Sequence, residues 1–184
     1  MKPGILTGGS KMARVMKLTT LLCVFLTLAS LPAGILPLTI TAATCSYHLL
    51  MRLAVGFAFD RTLNNHVNVR LGWFHLRGWE KALYERLKVG QWKASLPTYD
   101  PDAFDRHQHT WDEIAQAMCQ AELVHEVIIL LSFLPVLASI WLGDTAIFLL
   151  TSLLAAAFDL LFVIIQRYNR PRILTIVQRL KDRG

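Results

Sequence analysis

Charge is what this 184-residue chain has least of: Asp, Glu, Lys and Arg make up 17% of it, in blocks separated by long uncharged runs. The rest does not fit a soluble domain, because 54% of residues are hydrophobic and the mean hydropathy is +0.41, a balance found in membrane proteins. Cysteine is sparse. The three present, Cys23, Cys45 and Cys119, match no zinc spacing and argue against a disulfide framework. The chain also lacks a glycine-rich phosphate loop, a dinucleotide fingerprint and a nucleophile elbow, so three common routes to catalysis are absent. No internal repeat, low-complexity tract or heptad pattern occurs. The formal charge of +6 is a basic excess, but the basic residues border apolar runs. Anionic lipid headgroups, not nucleic acid, are the partners this pattern implies.

Three apolar stretches are present. The first, "LTTLLCVFLTLASLPAGILPLTITAATCSYHLLM", lies between Lys17 and Arg52. It is about 34 residues long, where one membrane pass takes about 20 and two take about 40. Pro32, Gly34 and Pro37 in its middle are turn formers. The second runs from Leu123 to Leu142, and "GDT" turns the chain into a third, Ala146 to Ile165, which contains Asp159. The tip "WLGDT" has no positive charge, whereas the tail carries Arg167, Arg170, Arg172, Arg179, Lys181 and Arg183. The second and third stretches therefore form a hairpin with both ends cytoplasmic. Lys2, Lys11, Arg14 and Lys17 put the N-terminus on the same side, which favours a hairpin over a single span for the first stretch. A cleaved signal peptide is the competing reading of this beginning.

The expected organisation is an all-α membrane protein in three parts. Residues 1–51 form an N-terminal membrane segment, 52–110 a cytoplasmic or interfacial amphipathic segment, and 111–184 a transmembrane hairpin with a basic tail. In the middle part, Trp79, Leu83 and Leu87 recur at helical spacing among cationic residues. Such a helix either lies on the cytoplasmic leaflet or packs against the membrane part. The expected location is the cell membrane, multi-pass, with both termini cytoplasmic.

Function is most legible where the second span begins. Thr110 and Glu113 have the form of a capping box, so a helix starting there runs through Glu122, His125 and Glu126 into hydrocarbon. These three share one helical face. A charged group at such depth costs on the order of 2.5–3.5 kcal/mol, a cost usually offset by a partner, a wet cavity or a function. The hairpin returns Asp159 to a similar depth on the facing helix and gathers Arg167, Asn169 and Arg170 at the mouth. Blander readings exist: interfacial arginines can be simple anchors, and "RYNRP" can be a helix end stopped by Pro171. Glu122 and His125 have the Glu-x-x-His spacing of di-iron bundles, but a second pair is missing, so no metal is expected. "HQHTWD" matches a His-x4-Asp pattern but falls on the helix cap, where capping explains it.

The blocks "QWKASLP", "DEI", "AELVH" and "QRYNRPRI", in this order and spacing, closely resemble the glycosyl-4,4'-diaponeurosporenoate acyltransferases of bacterial carotenoid synthesis. The resemblance covers roughly Trp73 to Lys181. It implies a small membrane enzyme that esterifies a fatty acid onto a sugar hydroxyl of a glycosylated carotenoid, on the way to a staphyloxanthin-type pigment. The implied partners are membrane lipids, a lipid-soluble glycosylated acceptor and an acyl thioester donor (acyl-CoA or acyl carrier protein), with no further cofactor and oligomerisation left open. Glu122, His125, Arg167, Tyr168, Asn169, Arg170, Pro171 and Arg172 match the family motif. Gln120, Glu126 and Asp159 depart from it, standing where Arg, Trp and Asn are usual.

Esterification needs a base for the hydroxyl proton and a donor for the oxyanion. The catalytic set expected is therefore His125 as base, oriented by Glu122 or Asp159. Arg167, Tyr168, Asn169, Arg170, Arg172, Glu126 and Trp92 are expected to bind substrate. Cys119, one turn before Glu122, offers an acyl-enzyme alternative. Two rivals come from other classes. In a non-catalytic assembly protein the acids and arginines only lock the hairpin; in a proton transporter Asp159, His125 and Glu126 are relay groups.

Overall fold

A computed structural model of the protein describes residues 11–183. The described residues form helices and turns, with no strand, and four helical spans are long and apolar enough to cross a membrane: Lys11–Ser30, Leu36–Thr62, Trp111–Leu142 and Thr145–Lys181. The chain is an all-α membrane protein. It divides into two compact units, one running to Ala54 and including Pro97–Pro101, the other made of Val55–Leu96 and the chain from Asp102 onward.

In the first unit, α1 (Lys11–Ser30) leads through a turn into α2 (Leu36–Thr62), whose last residues belong to the second unit. Of the two expectations for this stretch, the hairpin is what forms. Twenty residues give α1 a length of about 30 Å, the thickness of a hydrocarbon core. The chain reverses at Leu31–Gly34, where Gly34 takes the left-handed backbone (φ +71°) that glycine adopts without strain. Hydroxyls join the two helices: Thr39 Oγ1 donates to Ser30 Oγ at 2.8 Å, and the Thr27 and Ser46 hydroxyls lie 3.5 Å apart. Such hydroxyl contacts hold helices together in a medium that offers no hydrophobic drive between them. Leu18, Leu21, Phe25 and Leu28 stay exposed, as side chains facing lipid do.

The second unit is built on α5 (Trp111–Leu131) and α7 (Thr145–Lys181). Thr110 caps α5 as its spacing predicts: its N–H donates to Glu113 Oε2 (2.8 Å) and its Oγ1 accepts from the Glu113 N–H (3.3 Å). The helix then runs unbroken past Glu122 and His125. It turns at Ser132 and Phe133 and resumes as α6 (Leu134–Leu142), with Pro135 in the first turn, where its missing N–H costs nothing. Gly143 and Asp144, both at positive φ, form the tip. Pro171 does not end α7. It removes one helical hydrogen bond and the helix continues to Lys181. The buried positions of α7 — Phe148, Ser152, Ala156, Asp159, Val163, Arg167, Arg170 and Val177 — step by three, four or seven, which makes them one stripe along the helix. Asp159 and both arginines thus occupy core-facing positions among apolar neighbours.

The middle segment has little core of its own and packs on this frame. Val67 and Phe74 bury themselves with Cys119 of α5, and the helix α3 (Gly78–Arg86) turns Glu80 and Tyr84 inward. Its other side leaves Trp79 (60% exposed), Leu83 and Leu87 outward. One helix therefore packs on the membrane part through its polar face and presents an apolar face outward. We expect that face to lie among lipid headgroups, where Trp is favoured. In vesicles containing brominated lipid, replacing Trp79 by Phe should remove a quenchable part of the tryptophan fluorescence. Unchanged quenching would place the face in water.

Candidate active site

The stripe on α7 and the start of α5 meet at a fully buried carboxylate. Glu122 is 0% exposed and accepts Arg167 Nη1 at 2.5 Å on one oxygen and Arg170 Nη1 on the other. Arg167 is also held from the side by Glu80, through Nε at 2.7 Å and Nη2 at 3.0 Å. Its remaining two N–H groups donate to the carbonyls of Trp73 (3.1 Å) and His75 (3.2 Å). All five donors of this guanidinium are therefore engaged. Arg170 Nη2 donates to the intervening carbonyl, Phe74, and its guanidinium lies over the Phe74 ring at 5.1 Å. The three carbonyls are available because Gly72–Phe74 is a single 3-10 turn, which leaves its last C=O groups without helical partners. Two acids and two arginines thus form a buried cluster of zero net charge.

Glu80 was not among the residues expected at the site, although it is the one acid on the inward face of α3. Burial opposes its ionisation, but the hydrogen bonds from Arg167, from the Arg77 N–H and from Tyr84 prevail and hold it below the ordinary carboxylate range. Burial, and then the Glu80 charge, push the Tyr84 phenol up to about 12, so it stays protonated and donates to Glu80 Oε1.

A second group lies one turn after Glu122 on α5 and about two turns before Arg167 on α7. His125 Nδ1 is 2.9 Å from Asp159 Oδ1, and the imidazole stacks on Phe162, 4.7 Å between centroids and 10° from parallel. Asp159 is 2% exposed while the His125 side chain is 23% exposed. With the proton on Nδ1 shared toward Asp159, Nε2 carries the lone pair, and it bonds no described residue. Of the two carboxylates expected to orient His125, the partner is Asp159; Glu122 is committed to the arginines.

The other expected residues separate. Tyr168 and Asn169 gather with Arg172 and with Lys93, which had not been singled out: Arg172 Nη2 donates to Tyr168 Oη (2.8 Å) and Lys93 Nζ to Asn169 Oδ1 (2.5 Å). Glu126 accepts the Trp73 indole N–H at 2.9 Å. Trp92 donates its own indole N–H to the Leu87 carbonyl, also at 2.9 Å. Gln120 is buried and accepts the Asn65 N–H at 2.7 Å, which anchors the turn after α2. Cys119 is fully buried against Val67 and Phe74, so the acyl-enzyme alternative has no accessible thiol to work with. Among the described residues no group of three or more His, Cys, Asp or Glu side chains is arranged to hold a metal ion.

A family model described as glycosyl-4,4'-diaponeurosporenoate acyltransferase matches residues 70–179. That is more than half of the chain and includes every group just described except Asn65 and Val67. Comparison with curated proteins and with solved structures yields no match. The chain belongs to the glycosyl-4,4'-diaponeurosporenoate acyltransferase family, and with its four spans it is a multi-pass membrane acyltransferase of carotenoid biosynthesis.

Two predictions follow from the buried cluster. Glu122→Ala leaves two guanidiniums without their shared acid and should destabilise the protein by about 3–5 kcal/mol, read as a large fall in the detergent-solubilised unfolding midpoint. Glu80 has a depressed folded-state pKa, so its stabilisation is fully present above the unfolded carboxylate value of about 4.3 and is lost as pH falls through the lower folded value. The stability difference between wild type and Glu80→Gln should therefore be constant near neutrality and shrink below about pH 4. A difference that grows on acidification would contradict this assignment.

Proposed function

We propose that this member of the family transfers a fatty acyl group from a thioester donor to a sugar hydroxyl of a glycosylated carotenoid or similar glycolipid, with His125 as general base. The observation that carries the reading is the His125–Asp159 pair: Nδ1 is anchored at 2.9 Å to a buried carboxylate and Nε2 is open. An imidazole held in one tautomer by an acid, with its other nitrogen bare, is the arrangement that acyl transfer to a hydroxyl uses.

The step balances simply. Nε2 takes the hydroxyl proton as the sugar oxygen attacks the thioester carbon, giving a tetrahedral intermediate. Its collapse breaks the carbon–sulfur bond, and the proton on Nε2 passes to the departing thiolate. The products are ester and free thiol, and His125 returns to its starting state. A covalent acyl-enzyme is unnecessary because the donor is already activated.

In this reading Glu122, Arg167 and Arg170 position the reacting groups and do not touch substrate, since the donors of Arg167 are all committed and Arg170 is buried against Glu122 and Phe74. That buried cluster would serve an assembly protein equally well; the anchored imidazole is what favours an enzyme. The partly exposed ring sits on the surface of the α5–α7 pair, where a lipid-soluble acceptor can approach from within the bilayer. The charge pattern supports cytoplasmic termini, with Arg172, Arg179, Lys181 and Arg183 gathered toward the C-terminal end of the last helix and no basic residue at the 143–144 tip.

The test is ester formation by membranes containing single variants. His125→Ala should lower turnover by about 10²–10⁴-fold with protein levels unchanged. Asp159→Ala should fall comparably, while Asp159→Asn should retain part of the activity, because an amide oxygen still accepts from Nδ1–H. Undiminished turnover by His125→Ala would rule out the mechanism.

A further inference from the structure

The cations near the C-terminal half of α7 fall into two kinds. Arg167 and Arg170 are buried against carboxylates and carbonyls. Lys93 and Arg172 are not, although both are held in place. Lys93 Nζ lies 4.9 Å from the Tyr168 ring centroid and donates one of its three N–H groups to Asn169. The Arg172 guanidinium lies 4.5 Å from the same centroid and donates to the Tyr168 hydroxyl. Neither has a carboxylate partner among the described residues. The acid behind the ring, Glu80, is reached through Tyr84 and is committed to Arg167.

This convergence is built by the fold. Tyr84 packs edge-on against Tyr168 with centroids 6.4 Å apart. The short helix α4 (Val89–Trp92) presses its backbone onto the Tyr168 hydroxyl: a Cβ at Gly90 would lie 3.0 Å from that oxygen. Lys93 follows α4 directly and is delivered to the ring by that contact. Two like charges, fixed around one aromatic ring with donors to spare, are what a bound oxyanion relieves, and a guanidinium and an ammonium suit phosphate.

We propose that Lys93, Arg172 and Tyr168 form a phosphate-binding site. The phosphate is carried either by the acyl donor's carrier, in which case the site rests on the function proposed above, or by a phospholipid headgroup. Tyr168 is nine residues from Asp159, about 14 Å of helix rise. A donor anchored here by its phosphate would have to reach the imidazole with an extended arm, as a pantetheine thioester can.

The test reads binding, so it stands apart from turnover. Purified protein in phosphatidylcholine nanodiscs is titrated with coenzyme A, and phosphatidylglycerol retained from native membranes is counted by mass spectrometry. Lys93→Ala and Arg172→Ala should each weaken coenzyme A binding about tenfold, or strip the retained phosphatidylglycerol. Loss of the first identifies a carrier phosphate, loss of the second a headgroup. His125→Ala should keep wild-type binding without ester formation, and Arg172→Lys, which keeps the charge but loses the guanidinium on Tyr168, should bind more weakly than wild type and more tightly than Arg172→Ala. Wild-type binding should also weaken at high salt. Folded Ala variants with unchanged binding of both probes, wild-type protein that holds neither, or binding indifferent to salt would overturn the site. A protein that binds but transfers no acyl group would instead sink the catalytic reading and leave this one standing.

Discussion

A carboxylate with no exposed surface, Glu122, is the constraint on which the second unit depends. It sits at the start of an apolar span and could not remain ionised there alone, since a bare buried charge costs several kcal/mol. Arg167 and Arg170 answer it, and they in turn require acceptors that Glu122 cannot supply by itself. Glu80 and three successive carbonyls, Trp73 to His75, complete the set. One buried acid therefore dictates where the 72–75 turn and α3 must dock. It also sets the register of α7 on α5, because a shift of one residue would swing both arginines about 100° away from it.

With that frame in place, the groups around it divide by what they have left to offer. Arg167 is saturated and Arg170 is buried, and in the proposed mechanism both act as structure. His125, one turn after Glu122, and Asp159, about two turns before Arg167, leave one ring nitrogen bare. Lys93 and Arg172, further along, leave donors bare. In the proposed mechanism, reaction and recognition fall to groups whose hydrogen-bonding capacity is unspent, and rigidity to those buried among their partners.

Much of this was legible in the residues. Pro32, Gly34 and Pro37 marked the first hairpin, and Thr110 with Glu113 marked the start of α5. Matching depths along two antiparallel spans brought His125 to Asp159. Other features were beyond such reasoning. Glu80 meets Arg167 across 87 residues of sequence, and no spacing rule announces a pairing so distant. The carbonyl cradle arises from a 3-10 turn, whose acceptors belong to the backbone and leave no mark in residue type. Pro171 suggested a helix end, yet one lost hydrogen bond was outweighed by the packing of the α7 stripe on both sides of it. Arg167 and Arg170 were expected to face substrate; their charge was readable, but the saturation of the Arg167 donors and the burial of Arg170 are tertiary facts.

Family membership and geometry meet at the imidazole. The family supplies acyl transfer as the reaction class, and the α5–α7 pair supplies a histidine anchored by one nitrogen and open at the other. The most direct test is the protonation state of that ring. With 15N-histidine-labelled protein in nanodiscs, and His125→Gln to assign the signal, we expect a proton on Nδ1 in a strong hydrogen bond and a bare Nε2. A proton on Nε2, or an imidazolium at neutral pH, would contradict the account, because the nitrogen meant to accept the hydroxyl proton would already hold one.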